Sequence, residues 1–570
     1  MRITLIALLL LSSCHPSRSE APGETNVGRG FSPPPPGVGG LKPRPTSGPS
    51  LDGELDLLIK GGTVIDGTGA PRRRADVGIR GDTIVAIGDL AGATAKTTLD
   101  ATNQVVAPGF IDLLGNSQAA VLLDPRLEGK IRQGVTTEVT GEGHSPGPQN
   151  EPMRAEMERT KPKGWPDVTW TTLGGFMSEV EKKGSALNFA FYVGAANPRE
   201  MVLGHANRAP APDELRRMEA IAKQAMDEGA VGVSSALIYP PGRFATTGEL
   251  IALARVGGSY WTHLRNESTN IDAAIDEAIR IGREAKVPVN IFHLKIGGQT
   301  NWGRMPAVLK KIEAAQQSGV DVAANIYPFT ASSTELTSTV SAWALEGGYP
   351  AFLARLKDPA QRKRIAGEIR ANPATVIRGN PSRTLGDIAK QMGVDPAEAA
   401  LRLFEQSPQK SPLAIFHSFS EEDMKAALVK PWVAFGSDSG AVVEALKEYG
   451  GHPRAYATFS RVLAKYVREE KLLTLEEAIR KMTSLAASRA GFKDRGVLRE
   501  GMKADVVVLD PQRVQDRSTY EDPHHFSEGV AHVLVNGVPV LRDGKMTGAL
   551  PGRVLRRAGP GTPRSPGSPS

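Results

Sequence analysis

Two histidines, His263 and His293, are the residues whose types and spacing most directly suggest chemistry. Each closes a short apolar run, and a stretch rich in Ala, Ile and Glu separates them. The pattern predicts a strand, a helix and a second strand, and the C-terminal ends of two parallel neighbouring strands lie side by side. Converging imidazoles are typical metal ligands. The pair favours a metal site, with separately hydrogen-bonded histidines at strand ends as the alternative.

Asp438 is the carboxylate that could complete such a site. It follows the apolar run 432–437 within the sequence Phe-Gly-Ser-Asp-Ser-Gly. A carboxylate on the same rim as two histidines can take a proton from a water that a metal activates, and can later protonate a leaving amine. We therefore predict that Asp438 is the catalytic general base and acid, with a solvated turn aspartate as the alternative.

Strands and helices that alternate along the chain must position these three residues. Eight apolar, strand-like runs alternate with helix-like stretches, which predicts an α/β fold with a (β/α)8 TIM-like barrel. Such barrels carry their chemistry at the C-terminal ends of the strands. The eight runs are residues 106–112, 134–140, 188–193, 231–237, 258–261, 287–292, 320–327 and 432–437.

Residues 107–496 are predicted to form this barrel. The two chain ends that flank it have a different sequence pattern. Short alternating runs with Gly-containing turns occupy residues 53–106 and 497–557. Both read as β-strands, and we expect them to pair into one small composite β-sandwich. Residues 331–415 are too long for a simple crossover and are interpreted as an insertion over the barrel mouth, a candidate substrate lid. Residues 414–417 are a candidate extra strand.

The first 14 residues carry one Arg, a short apolar run and then Leu-Ser-Ser-Cys. This pattern is typical of a signal peptide with a bacterial lipobox, in which Cys14, the one cysteine of the sequence, receives the lipid anchor. An ordinary secretory signal is the alternative. Residues 15–52 are rich in Pro, Gly and Ser and are interpreted as a tether, and residues 558–570 as a disordered tail. We expect an exported lipoprotein, periplasmic or anchored in the outer membrane.

Composition narrows the class of partner. The chain has 570 residues, of which 40% are hydrophobic and 23% charged, as in ordinary soluble domains. The formal net charge of +7 is modest for this length, and no Lys/Arg cluster interleaves with aromatic residues. No nucleic-acid partner is predicted, and contact with a membrane is expected only through the lipid on Cys14. The oligomeric state is left open.

In these motifs the chain resembles the amidohydrolase superfamily, and within it the N-acyl-D-amino-acid deacylases (D-aminoacylases). The resemblance covers residues 55–556 and implies the barrel, the composite β-sandwich and hydrolysis of linear amides. It rests on several stretches that occur in the family's order: residues 60–69, 107–112, 235–242, 262–265, 452–459, 476–483 and 501–510.

The first departure from this family lies in the first barrel strand. Amidohydrolases usually follow Phe-Ile-Asp with x-His-x-His, which supplies two metal ligands. Here the two histidine positions hold Leu114 and Asn116. Leucine cannot bind a cation, and a neutral amide is a poor substitute for imidazole. A metal site built on that pair is predicted to be absent.

The second departure follows the second strand, where D-aminoacylases place a metal-binding cysteine in a Gly-Asn-Cys-Gly turn. Here the turn is Gly-Glu142-Gly-His144, and Gly143 stands at the cysteine position. Glu142 is the candidate replacement because it keeps a negative charge at nearly the same point, and His144 is the second choice. The fourth strand, residues 231–237, has no lysine that could bridge two metals.

Glu142, His263 and His293 would then form a His2Glu set, which is a catalytic zinc arrangement with one position left open. We therefore predict one zinc ion per chain, with Asp438 as the proton carrier. The resemblance also implies which residues hold the α-carboxylate of the substrate: Lys295, Tyr327 and Arg454. The forked guanidinium of Arg454 suits a carboxylate. Tyr239 is expected to line the same pocket.

The function predicted from the sequence is hydrolysis of N-acyl-D-amino acids, or related small N-acyl amino acids, to a carboxylate and a free amino acid. Two rivals remain at this stage. One is another amidohydrolase reaction, such as that of a dipeptidase or cyclic amidase. The other is a catalytically silent binding protein, against which the retention of both histidines and Asp438 argues. Preference for the D enantiomer is implied only by the resemblance.

Overall fold

The computed structural model describes residues 53–379, 381–449 and 451–557. The predicted signal peptide with Cys14, the tether and the C-terminal tail therefore lie outside the described residues. Within the described ranges, no helix combines the length and the apolar character that crossing a bilayer requires.

The described residues form 22 β-strands. In chain order they are β1 Leu55–Val64, β2 Arg73–Arg80, β3 Thr83–Gly88, β4 Ala95–Asp100, β5 Val105–Pro108, β6 Phe110–Gly115, β7 Val135–Thr140, β8 Asn188–Phe191, β9 Val193–Gly194, β10 Val233–Ala236, β11 Tyr260–His263, β12 Val289–Ile291, β13 Val322–Ile326, β14 Ala331–Glu335, β15 Val376–Ile377, β16 Arg383–Thr384, β17 Leu413–His417, β18 Val433–Phe435, β19 Val506–Leu509, β20 Val530–Val535, β21 Val538–Arg542 and β22 Lys545–Met546.

The same residues form 17 α-helices. They are α1 Ala120–Leu123, α2 Glu128–Ile131, α3 Glu151–Thr160, α4 Leu173–Lys183, α5 Ala196–Leu203, α6 Pro212–Asp227, α7 Thr247–Gly257, α8 Ile271–Ala285, α9 Met305–Gln317, α10 Gly348–Leu356, α11 Pro359–Glu368, α12 Leu385–Met392, α13 Pro396–Gln406, α14 Glu421–Leu428, α15 Arg454–Arg461, α16 Leu475–Met482 and α17 Ser484–Ala490. Short 3-10 helices occupy Gly242–Phe244, Gln299–Asn301, Leu336–Thr339, Ala342–Leu345 and Glu444–Tyr449, and a π-helix, Val462–Glu469, continues α15.

The predicted (β/α)8 barrel is confirmed by the strand pairing. Strands β6, β7 and β8 pair in parallel, and β9, β10, β11, β12, β13 and β18 form a second parallel run. Strands β8 and β9 are two parts of one barrel strand, since one residue separates them. A parallel bridge from Gly115 to Ser439 and a hydrogen bond of 2.8 Å from the Asp438 amide to the Leu114 carbonyl join the last strand to the first.

The barrel strands are buried on both faces, as parallel strands covered by helices must be. Every residue of β7, β10, β11, β12, β13 and β18 is buried. The helices cover the strands with one apolar face each. In α8, for example, Ile271, Ile275 and Ile279 face the core at helical spacing while Arg280 and Glu284 pair on the outside. The resulting rigid core fixes the C-terminal rim on which the site is built.

Both chain ends contribute to one small β domain, as predicted. Its nine-stranded sheet runs β22-β21-β20-β19-β5-β1-β2-β3, with β4 added beside β1. The antiparallel contact between β5 and β19 joins the N-terminal part to the C-terminal part. The sheet therefore includes residues 105–108 before the barrel begins at Phe110, slightly beyond the boundary expected at residue 107.

The C-terminal segment after β22 takes a different path from the one expected. Residues 551–557 leave the small sheet and run along the start of β8. The Phe189 amide donates to the Arg553 carbonyl at 2.9 Å, and the Leu555 amide donates to the Phe189 carbonyl at 2.6 Å. A segment that looked like part of the β-sandwich thus covers the N-terminal side of the barrel. Its short alternating pattern carries no signal that distinguishes the two positions.

The insertion predicted over the barrel mouth has a sheet and a core of its own. Its four strands run β14-β17-β15-β16, and β17 includes the run 414–417 that suggested an extra strand. Helices α10 to α13 pack around an apolar cluster that contains Leu336, Phe352 and Phe404. Because β14 follows barrel strand β13 by only four residues, the insertion is anchored directly at the rim.

Candidate metal centre and active site

His263 and His293 meet at the ends of two neighbouring strands. His263 is the last residue of β11, and His293 stands two positions after β12, which pairs in parallel with β11. The backbone of His293 has a φ of +35°, an unusual conformation for a residue with a side chain. Its amide donates a 2.7 Å hydrogen bond to Oδ1 of Asn325. This turn sets the two imidazole centroids 4.4 Å apart.

Glu142 reaches the same point from the turn after β7. The flanking residues Gly141 and Gly143 both have positive φ, +112° and +66°. A Cβ atom on Gly141 would lie 2.7 Å from the Tyr192 carbonyl oxygen, and one on Gly143 would lie 2.4 Å from the Ala236 Cβ. The two glycines are therefore required for the tight turn that presents the Glu142 carboxylate.

One carboxylate oxygen faces both histidines. Glu142 Oε1 lies 2.9 Å from His263 Nδ1 and 3.0 Å from His293 Nε2. One ligand atom from each of the three residues lies within 4.8 Å of the others. Two imidazole nitrogens and one carboxylate oxygen form a donor set suited to zinc. These residues therefore fit a divalent metal ion.

Glu267 supports this trio and was not singled out from the sequence. Its carboxylate lies 3.1 Å from His293 Nδ1 and 3.4 Å from His263 Nε2, on the sides of the rings away from Glu142. It also accepts a 2.8 Å hydrogen bond from Lys295 Nζ. An acidic partner on the far nitrogen of a ligand histidine fixes its ring and raises its basicity. The available signal was the carboxylate four residues after His263.

Hydrogen bonds and neighbouring charges couple the ionisation of these groups. Burial would raise the pKa of Glu142, but the hydrogen bonds and charges of His263 and His293 outweigh it and hold that pKa well below its usual value. Burial likewise opposes ionisation of Glu267, yet His263, Lys295 and His293 lower its pKa. Burial and the Lys295 charge would lower the pKa of His293, whereas Glu267, Asp438 and Glu142 raise it to about 9. Both carboxylates are therefore anionic at neutral pH.

Asp438 lies on the same rim, directly after β18. Its φ of +49° is again a left-handed conformation, which is held by the amide hydrogen bond to Leu114. Its Oδ2 accepts a 2.8 Å hydrogen bond from Arg454 Nη1. Arg454 also donates to the Ser333 carbonyl at 3.0 Å, so it links the rim to the insertion. The predicted base and a predicted substrate cation thus form a partly buried ion pair.

The other predicted substrate residues surround this pair. The Arg454 guanidinium lies 4.8 Å from the ring centroid of Tyr327, and Lys295 Nζ lies 5.9 Å from the same centroid. The Tyr327 hydroxyl is buried without a hydrogen-bond partner among the described residues. Tyr239 packs 5.5 Å from the His263 ring, and its hydroxyl is 2.5 Å from Oγ1 of Thr334 in the insertion.

The positions that depart from the resembled family do not join the metal group. Leu114 is fully buried in an apolar cluster, so it offers no ligand. Asn116 lines a cleft beside the site without belonging to the three-residue group. His144, the second choice to Glu142, is half-exposed and lies 3.2 Å from Glu200. The turn thus brings Glu142, and not His144, to the two histidines.

A buried charge cluster lies beneath this part of the rim. Lys130 Nζ is 2.7 Å from Asp112 Oδ2 and 3.4 Å from Glu138 Oε2, and all three side chains are fully buried. Lys130 also donates to the Ser437 hydroxyl and the Ser439 carbonyl, each at 2.7 Å. Burial would lower the pKa of Lys130, but Asp112 and Glu138 raise it. Lys130 is therefore the counter-ion that two buried carboxylates share, one inside β6 and one inside β7.

Two adjoining clefts open onto the site, with volumes of about 590 Å³ and 560 Å³. Both are lined by Glu142, Tyr239 and Asp438. The insertion contributes Thr334 and Ser338 to both walls. The site is thus concave and covered on one side by the segment interpreted from the sequence as a lid.

This arrangement, a metal-type donor set and a carboxylate at the C-terminal rim of a (β/α)8 barrel, defines a barrel of the metal-dependent hydrolase class. A family model described as "Amidohydrolase family" matches residues 97–541. The chain belongs to the amidohydrolase family.

Relatives with assigned activities resemble nearly the whole chain. An N-acyl-D-glutamate deacylase from Alcaligenes xylosoxydans xylosoxydans is 37% identical over 513 residues, covering 88% of this chain and 97% of that protein. A D-aminoacylase from the same organism is 37% identical over 512 residues, covering 88% and 98%. The predicted resemblance to D-aminoacylases is therefore confirmed.

A solved structure supports the same relationship. The N-acyl-D-glutamate deacylase from Bordetella bronchiseptica, in complex with zinc and a phosphonate inhibitor that mimics the tetrahedral intermediate, superposes with a TM-score of 0.76 at 35% identity. The alignment covers 89% of this chain and all of that chain. The barrel and the small β domain are therefore common to both proteins.

Proposed function

We propose that this protein is a zinc-dependent hydrolase of N-acyl-D-amino acids, releasing a carboxylate and a free D-amino acid. The observation that carries the proposal is the convergence of Glu142, His263 and His293 beside Asp438 at the barrel rim. The D-aminoacylase and the N-acyl-D-glutamate deacylase that resemble nearly the whole chain support the substrate class.

In this proposal Glu142, His263 and His293 hold one zinc ion per chain. When bound, zinc lowers the pKa of a coordinated water and polarises the scissile carbonyl. Glu267 positions the two rings by facing their outer nitrogens. The count of one follows from the first strand, where Leu114 and Asn116 stand at the family's two histidine positions and Leu114 is fully buried in an apolar cluster.

Asp438 is the residue that moves protons. Its carboxylate takes a proton from the attacking water and gives it to the nitrogen of the departing amino group, so the proton count balances over the reaction. The fixed backbone of Asp438, tied to Leu114, and its ion pair with Arg454 hold the carboxylate in place. A general acid and base contributes about 10²- to 10⁴-fold in rate.

Arg454, Lys295 and Tyr327 would hold the α-carboxylate of the substrate. The Tyr327 hydroxyl lacks a hydrogen-bond partner within the described ranges, so a bound carboxylate would satisfy a buried donor. The Arg454 guanidinium packs over the Tyr327 ring, and Lys295 lies on the same ring. Beside their ion pairs with Asp438 and Glu267, the two cations can donate charge-assisted hydrogen bonds to the substrate carboxylate.

We also propose that the protein is exported as a lipoprotein anchored through Cys14. The support is the lipobox-like sequence that ends at Cys14 and the Pro- and Gly-rich stretch that follows it. Metabolic labelling with a palmitate analogue should label the full chain, whereas the Cys14→Ser variant should remain unlabelled. Equal labelling of both would contradict the anchor.

The test of the proposed activity uses the zinc-loaded mature chain. N-acetyl derivatives of D-leucine, D-glutamate and D-aspartate, each with its L enantiomer, are assayed for release of free amine. We expect release from at least one D compound at a rate at least tenfold above that from its L enantiomer. Binding of zinc without release from any of the six compounds would overturn the proposal and favour a silent binding protein or another amidohydrolase reaction.

A further inference from the structure

The end of β12, which carries His293, is out of register with the neighbouring strand β13. At the start of this parallel pair, the Val289 amide donates to the Asp321 carbonyl at 2.8 Å. Because a parallel ladder advances two residues at a time on each strand, the amide at position 293 would be expected to donate to the Asn325 carbonyl. The Leu294 amide makes that hydrogen bond instead, at 2.9 Å. One extra residue, His293, is therefore inserted as a β-bulge.

The bulge deprives the buried His293 amide of a strand carbonyl. A buried amide has to find another acceptor, and Oδ1 of Asn325 provides it at 2.7 Å. Asn325 thus accepts hydrogen bonds from two successive amides, one with its side chain and one with its backbone. Bulges re-aim the side chain of the inserted residue. Here the φ of +35° at His293 accompanies a ring whose Nε2 lies 3.0 Å from Glu142 Oε1.

The remaining surroundings of Asn325 connect it to the predicted base. Its Nδ2 is buried without a partner among the described residues, so the bond to His293 is the one that the side chain makes there. A Cβ atom on Gly436 would lie 3.2 Å from Asn325 Cγ and 2.9 Å from Leu114 Cβ. Gly436 precedes Asp438 by two residues. The Asn325 amide therefore lies between the backbone that carries a metal ligand and the backbone that carries the base.

We propose that Asn325 is a positioning residue of the metal centre, whose side-chain oxygen fixes the bulge that aims His293 at the metal. The inference rests on the zinc site of the proposed function. Glu267 acts on the ring of His293 through its outer nitrogen, Nδ1, at 3.1 Å. Asn325 acts on the backbone from which that ring projects. The bulge is then formed before any metal binds, because its acceptor belongs to the fold.

The experiment removes the acceptor and then restores it. Asn325→Leu keeps the approximate size of the side chain without an acceptor, and Asn325→Asp keeps an oxygen in the same place. Asn290→Leu is the matched control. Asn290 is also a buried amide with an unpartnered Nδ2 among the described residues, but its Oδ1 accepts from Arg489 of α17 at 2.6 Å. Zinc Kd is measured on the full chain by chelator competition, and the stability of each zinc-free protein by denaturant unfolding.

We expect Asn325→Leu to weaken zinc binding by about 10- to 100-fold, the effect of losing a group that orients a metal ligand. Asn325→Asp and Asn290→Leu should each stay within about threefold of the wild type, well below that range. A merely structural role would give a different pattern. Both Leu variants would then lose zinc affinity in proportion to their loss of stability.

Hydrogen exchange of the zinc-free protein tests the same bulge without relying on zinc. The His293 amide, resolved by fragmentation mass spectrometry, should exchange as slowly in the wild type as the Val289 amide, which donates within the ladder. This protection should persist in Asn325→Asp and be lost in Asn325→Leu. If Asn325→Leu does not fold, the wild type and Asn325→Asp decide the question.

Three results would overturn the inference: wild-type zinc affinity in folded Asn325→Leu, an equal loss of affinity in Asn325→Asp, or rapid exchange of the His293 amide in the zinc-free wild type. If the wild type binds no zinc, the proposed function fails by itself, and exchange then decides the role of Asn325 separately. Protection that Asn325→Leu abolishes would support the role, and exchange that the substitution leaves unchanged would refute it.

Discussion

Replacement of Glu142 by Gln tests the metal assignment most directly. Glu142 Oε1 is the one atom that faces both His263 Nδ1, at 2.9 Å, and His293 Nε2, at 3.0 Å. Glutamine keeps the size of the side chain and one carbonyl oxygen, but it removes the negative charge from the donor set. The flanking glycines are unchanged, so the turn itself should persist. Any loss of metal binding then reports on the ligand and not on the fold.

The size of the effect follows from the position of Glu142. Changing a residue that only supports a ligand weakens metal affinity by about 10- to 100-fold. Glu142 would contact the metal itself and provide the only negative charge among the three ligands. Its loss should therefore exceed the upper end of that range, which is more than about 100-fold in Kd, or about 2.7 kcal/mol.

The assay is zinc content by inductively coupled plasma mass spectrometry, with Kd from competition against a chelator. The wild type should hold about one zinc per chain. His144→Gln is the matched control, because its ring lies against Glu200 on the other side of the turn and should leave the affinity unchanged. Wild-type affinity in Glu142→Gln, or a loss confined to His144→Gln, would refute the ligand set. About two zinc ions per chain would refute the single-metal reasoning.

Four further outcomes are expected. Asp438→Asn should lower kcat by about 10²- to 10⁴-fold with zinc content unchanged; undiminished turnover would remove it from the mechanism. Glu267→Gln should weaken zinc binding by about 10- to 100-fold, measured by chelator competition, and equal affinity would show that it does not support the ligands. Arg454→Lys should raise KM by about tenfold or more for N-acyl amino acids because the forked contact is lost, and an unchanged KM would count against that contact. Burial lowers the pKa of Lys481 to about 7, so the unfolded chain binds more protons than the folded chain between that pH and about 10.4. The contribution of Lys481 to the free energy of unfolding should therefore rise with pH by about 1.4 kcal/mol per unit in that window. Denaturant unfolding from pH 7 to 9 should show the free energy of unfolding rising more steeply in the wild type than in Lys481→Met, and the same slope in both would contradict this.

The barrel could be predicted because its signals are local and repeated. Apolar runs of strand length alternate with helical stretches, and each run is buried on both faces, so the sequence pattern and the packing agree. The positions of His263 and His293 follow from that count alone, since parallel neighbours end at one rim. The pairing of the two chain ends was predictable because both have short runs of alternating apolar residues. The path of residues 551–557 was not predictable, because its contact with Phe189 is made by backbone groups, which no side-chain pattern reveals.

The parts of the site that escaped prediction depend on contacts between distant residues. The ion pair of Asp438 with Arg454 joins two residues that both had predicted roles, but nothing in either motif indicates that they touch. Glu267 contacts both histidines and Lys295 only because the chain turns back after β11. Such contacts arise from the shape of the rim, which no single stretch of sequence contains.

The prediction of one metal gains a second physical basis from the fold. The loss of the first-strand histidines by itself says only that ligands are missing. The structure adds that two carboxylates inside the first two strands, Asp112 and Glu138, already share the buried ammonium of Lys130. A Cβ atom on Gly115 would lie 2.0 Å from the carboxyl carbon of Glu138, so no side chain can be added there without displacing this cluster. A second cation at this edge would have to compete with Lys130 for the same carboxylates, which is why restoring histidines at positions 114 and 116 should not by itself create a second site.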